Sequence, residues 1–93
     1  MAILHIIATR LETPALAKLA ARSHVDDAYV FMDDGVYVLL NKELSVFGAR
    51  PILGLLEHVH ERGLANFNTQ PIRLIGMADL VGLTASYASS MSW

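Results

Sequence analysis

Three constellations in the chain carry groups able to do chemistry. Asp33-Asp34 is an adjacent acid pair. Such a pair at the end of a strand can hold Mg²⁺ or share a proton. Glu57-His58-Val59-His60-Glu61 offers two imidazoles and two carboxylates. On a strand the two His would share a face and could bind zinc, whereas on a helix Glu57, His60 and Glu61 share one. Ser89, Ser90 and Ser92 supply hydroxyls, but no base stands in a recognisable relation to them, so nucleophilic catalysis has no support.

Each has a plainer explanation, and the plainer one is the expectation. An Asp-Asp-Gly sequence turns the chain and caps the helix that follows. Response-regulator phosphoacceptor domains place an acid pair after strand one and a third Asp after strand three. Here those positions are Ala8-Thr9-Arg10 and Glu57. Three adjacent metal ligands without a distant fourth make a weak metal site, so residues 57–61 are read as a solvated polar turn. His5 sits inside an apolar run, where a neutral imidazole with one satisfied hydrogen bond is ordinary. The glycines are too dispersed to cradle a phosphate, and no Gly-rich nucleotide motif is present. No catalytic residue, cofactor or metal site is assigned.

The elements that must position these groups alternate strand and helix. Ile3–Ile7 is short and β-branched, as a strand buried on both faces should be. Thr13-Pro14 opens a helix, with Thr13 as cap and Leu16, Leu19, Ala20 and Ser23 as its inner stripe. Ala28–Met32 is a second strand, followed by an Asp-capped short helix burying Val36, Leu39 and Leu40. Residues 42–50 read as a surface loop. Pro51 can open a third strand over Ile52–Leu56. A helical turn over Glu57–Arg62 stops at Gly63. Ile72–Ile75 is a fourth strand. Asp79 caps a last helix with Leu80, Val81, Thr84, Tyr87 and Ala88 on one side. Met91-Ser92-Trp93 is an added edge strand or packs back on the core. The expected fold is a small three-layer α/β/α domain, residues 1–93, with a mostly parallel sheet of four or five strands. Ligands bind such sheets at the carboxyl ends of the strands. Asp33, Asp34, His58 and Trp93 are therefore the candidate interface or strand-end residues.

Composition narrows the function. Hydrophobic residues make up 54% of 93 residues and charged ones 17%. That is more apolar surface than a small monomer hides, so a subunit interface is expected. Seven basic residues are scattered and the net charge is −2, which disfavours direct nucleic-acid binding. Zero cysteines removes disulfides, thiolate metal sites and thiol nucleophiles together. Residues 1–8 lack the flanks of a secretory signal, and no apolar run approaches the ~20 residues that span a bilayer. A soluble, cytoplasmic protein is expected.

Four segments in order resemble the TusB/DsrH family of the DsrEFH-like sulfur-relay complexes. Ile3-Leu4-His5 is similar to the family's Leu-His opening. Met32-Asp33-Asp34-Gly35-Val36-Tyr37 resembles its acidic-Asp-Gly-Val/Ile-Tyr segment. Glu61-Arg62-Gly63-Leu64 is similar to its Ala-Arg-Gly-Leu/Phe turn, and Leu83-Thr84 with Met91-Ser92-Trp93 resembles its close. The resemblance implies a DsrEFH-like fold and a heterohexamer with TusC-like and TusD-like (or DsrF- and DsrE-like) paralogues. It also implies a role in 2-thiolation of the tRNA wobble uridine, or, in the DsrH branch, in dissimilatory sulfur oxidation. Some DsrH-type members carry a cysteine in the first helix; here an ungapped count puts Leu19 there. TusB-type members generally leave the active cysteine to the TusD-like partner, so the cysteine-free chain leans to tRNA thiolation as a non-catalytic subunit. Gly82 stands where the family often has Glu. Outside the resemblance, a homo-oligomeric small-ligand or metal binder using Asp33, Asp34 and His58 stays open.

Overall fold

The computed structural model describes residues 2–41, 44–67 and 70–93. Five parallel strands, β1 (Ile3–Ile7), β2 (Ala28–Phe31), β3 (Ile52–Leu55), β4 (Arg73–Ile75) and β5 (Ser89–Ser92), lie in the order β4-β3-β2-β1-β5. The chain steps outward from β1 to β4 and then returns past β1 to β5. Right-handed crossovers put the connections of the outward run on one face and that of the return on the other. Accordingly α1 (Thr13–Ala21) and α2 (Leu56–Glu61) cover one face, and α3 (Met77–Ser86) covers the other.

Alternation along the strands feeds both cores. Ile7, Tyr29, Phe31 and Ile52 meet Leu16 and Leu19 of α1. Leu4, Val30, Leu53 and Leu55 meet Leu80 of α3. A smaller cluster of Val36, Val59 and Leu64 seats α2. β2 and β3 are buried at every position, which is why their apolar runs carry no polar alternation.

Several boundaries and caps differ from the sequence expectation. Thr13 does not cap α1: Glu12 holds that position without a side-chain bond, and the Thr13 hydroxyl instead accepts from Asn41 Nδ2 at 3.1 Å. The segment after β2 is a 3₁₀ helix, Asp33–Leu40, capped by Met32 and not by an aspartate; it buries Val36 and Val38, while Leu40 is exposed. Of the expected surface loop, residues 42 and 43 lie outside the described residues. Leu44–Phe47 is a second 3₁₀ turn that buries Leu44 and Phe47, because Phe47 packs at 4.5 Å from the Tyr29 ring. Pro51 precedes β3, where its carbonyl accepts from Tyr29 N–H at 3.0 Å. Gly76 is the N-cap residue of α3; Asp79 sits a turn in and its carboxylate accepts from Gly76 N–H at 3.2 Å. The inner side of α3 is Leu80 and Leu83, joined by Tyr87 just past its end, whereas Thr84 and Ala88 are exposed and Val81 is 65% exposed. Gly63 has φ +68 just past α2, as a helix stop requires.

Candidate functional site

The carboxyl ends of β2 and β3 bring together three of the candidate residues. Asp33 stands at φ +48, a left-handed conformation that non-glycine residues rarely adopt. That turn aims its N–H at His58 Nδ1, 2.7 Å away. Nδ1 is thus an acceptor, and a neutral His58 carries its proton on Nε2. Gly35 makes the turn possible by close approach: a Cβ there would stand 2.1 Å from the Ile7 carbonyl oxygen. The same carbonyl accepts from Met32 N–H at 2.9 Å, so the acid pair is pinned to the end of β1.

Arg62, at the end of α2, balances the acids. Its Nε donates to Asp34 Oδ1 at 3.2 Å, and its other nitrogens lie 4.0 Å from Asp33 and 3.6 Å from Glu61. Glu57 faces elsewhere, accepting from Met77 N–H at 3.0 Å at the start of α3. His60 is exposed and takes no part in the cluster. Among the described residues no three His, Asp or Glu side chains are arranged to hold a metal ion. The Asp33–Asp34–His58–Arg62 group contains no nucleophile next to a base. It is a polar surface group of two carboxylates, one guanidinium and one imidazole.

Trp93 lies outside that group. Its indole N–H donates to His5 Nδ1 at 3.0 Å, and His5 Nε2 meets Asp27 Oδ2 at 2.7 Å. His5 and Asp27 are 3% and 1% exposed, and the half-buried Trp93 closes the outer end of this three-residue chain. Asp27 also accepts from the Ile3 and His24 N–H groups at 2.9 and 3.0 Å. Burial is the largest influence on its carboxyl and works against ionisation. The bonds from His5, Ile3 and His24, together with the charge of the His5 ring when it is protonated, outweigh it, and the group lies below its ordinary value. The expectation of one bond on His5 is thus exceeded: both nitrogens are satisfied. Asp27 is the functional-looking residue that sequence reasoning missed; the only local signal is an acid abutting the apolar run of β2. Burial also pushes the Tyr29 hydroxyl up.

A further hollow of about 260 Å³ opens at the end of β1, lined by Arg10, Glu12, Thr13, Tyr37 and Asn41. Arg10 lies over the Tyr37 ring at 5.2 Å and reaches Glu12 at 3.4 Å, so its charge is already engaged.

No family model matches the chain, and no curated protein matches it. Among solved structures, the YchN protein from E. coli superposes over 100% of both chains with a TM-score of 0.74 at 16% identity. That likeness establishes the fold, a five-stranded parallel α/β/α domain like that of YchN.

Proposed function

We propose that the chain is a cysteine-free subunit of a DsrEFH-like sulfur-relay complex, of the TusBCD type that serves 2-thiolation of the tRNA wobble uridine. The observation that carries this reading is a DsrEFH-like fold over the whole chain combined with a sequence of zero cysteines. A carrier of persulfide sulfur needs a thiolate, because the transferred atom rides on it. Met sulfur cannot substitute, since both its valences are bonded to carbon. Leu19, the helix position at which some DsrH-type members carry cysteine, is 1% exposed and locked in the core. A sulfur there would meet no partner.

A subunit without chemistry works through its surface. Val25, Leu40, Val46, Leu56, Phe67, Met77, Val81 and Met91 are exposed large apolar residues, available to partner chains. TusC-like and TusD-like paralogues cover part of this surface, and the isolated chain self-associates through it. The role is to complete the assembly and shape the surroundings of the partner's persulfide cysteine, with Asp33, Asp34, His58 and Arg62 as a polar rim.

Co-expression with the neighbouring genes tests this. The expected result is a stable complex with TusC-like and TusD-like chains. A partnerless chain overturns the proposal, and a complex encoded within a dissimilatory sulfite reductase cluster moves it to the sulfur-oxidation branch.

A further inference from the structure

β5 is the one strand of the sheet with no buried residue. Its four residues are all exposed, and it pairs with β1 alone. The one side chain from 89 to 93 that reaches the core is Trp93, which packs against the cluster of Ile7, Leu16 and Tyr29. The backbone ladder runs on to it, with Trp93 N–H donating to Ile6 O at 2.8 Å. Its indole ends on His5.

An indole N–H can only donate. His5 Nδ1 must therefore offer a lone pair, and the ring carries its single proton on Nε2, directed at Asp27. We infer that the Asp27–His5–Trp93 chain is a proton-operated latch that fastens β5 to the sheet. A proton entering the ring can bind only at Nδ1. The new N–H then faces the indole N–H, donor against donor, and the outer bond is lost. The inner bond meanwhile becomes an ion pair with Asp27. The proton thus strengthens one end of the chain and releases the other, so that β5 loses its side-chain anchor while β1 and β2 stay in place.

Among the described side chains packed against the His5 ring, Asp27 alone carries charge. Asp27 faces it from the turn before β2, and its lowered carboxyl stays ionised wherever imidazoles change charge. Tyr29 stacks on it from β2 at 5.3 Å, and Trp93 from beyond β5 at 5.9 Å. Arg50 lies 5.6 Å from the Tyr29 ring centroid and is committed to the carbonyls of Ala20, Val46 and Phe47. From α1 this core receives Leu16, Leu19 and Ala20, all uncharged. His24 and Asp26 pair with one another in solvent.

Trp93 is the single tryptophan of the chain, so its emission reports the latch directly. From pH 8 to 5 the expected result is a shift to longer wavelength with greater acrylamide quenching, while far-UV circular dichroism is unchanged. His5→Gln abolishes the response, whereas His24→Gln, His58→Gln and His60→Gln keep it. Emission that stays flat in the parent chain, or a shift that survives in His5→Gln, overturns the latch. Should His5→Gln fail to fold, two measurements remain. Long-range ¹H–¹⁵N NMR of the parent chain at pH 8 must show the Nε2–H tautomer of His5, and Nδ1–H overturns the inference. Removing the outer bond in Trp93→Phe must let the His5 ring hold its proton to higher pH, the reciprocal of the coupling; an unmoved titration overturns it as well.

Discussion

Replacing Gly35 by alanine tests how the acid turn is held. The added methyl would lie 2.1 Å from the Ile7 carbonyl oxygen and 3.0 Å from its carbon, both backbone atoms. No flexible side chain can swing aside, so the 3₁₀ helix or the end of β1 must move. Overpacking of this kind costs about 1–3 kcal/mol. The shift also strains the 2.9 Å bond from Met32 N–H to the same oxygen, a loss of about 1 kcal/mol. Together these come to about 3 kcal/mol, which lowers the melting temperature of a domain this size by roughly 12–24 °C. Gly82→Ala is the matched control. Nothing lies within 4 Å of its added Cβ, and alanine in a helix interior gains about 1 kcal/mol over glycine. Thermal unfolding followed by circular dichroism reads both. A Gly35→Ala chain that melts no lower than the parent refutes the close approach and the placement of Asp33 and Asp34 built on it.

Three further outcomes are expected. Asp27 is held below its ordinary value of 3.8 in the fold, so its contribution is present above that pH and lost as pH falls through the lower folded value; at neutral pH Asp27→Asn costs about 1.5–3 kcal/mol in urea unfolding, and this penalty shrinks under acid. Asp34→Ala costs under about 1 kcal/mol by the same measurement, because the carboxylate meets Arg62 in an exposed ion pair at 3.2 Å and caps no helix. Zn²⁺, Mg²⁺ and chelator leave the melting temperature unchanged, since the described residues gather no metal-binding set; a rise with metal restores the ligand-binding alternative for Asp33, Asp34 and His58.

What the sequence made legible follows from how local each signal is. β1, β2 and β3 are buried, β-rich runs, and they stand within a residue of where their composition puts them. β5 is legible only at its end, where Met91-Ser92-Trp93 reads as an edge strand or a packed-back segment; Ser89-Ser90 before it is strand because β1 offers it an edge. The turn at Leu44–Phe47 is equally unmarked, since Phe47 is buried by contacts with Tyr29 and Phe31 from a distant strand. Asp33, Asp34 and His58 were found as a strand-end group, but their partner Arg62 comes from the far end of α2. The His5–Trp93 bond joins positions 88 apart, and the Asp27 that completes it is set by strand register. No local periodicity reports a contact of that range.

The proposed role of this subunit rests on where sulfur travels. Radiolabelled sulfur from a loaded cysteine desulfurase and its donor is offered to the isolated chain and to the complex purified with its genomic neighbours. After gel filtration, the account predicts no reductant-releasable label on this chain, and label on another subunit of the complex. Label covalently attached to this chain would contradict it.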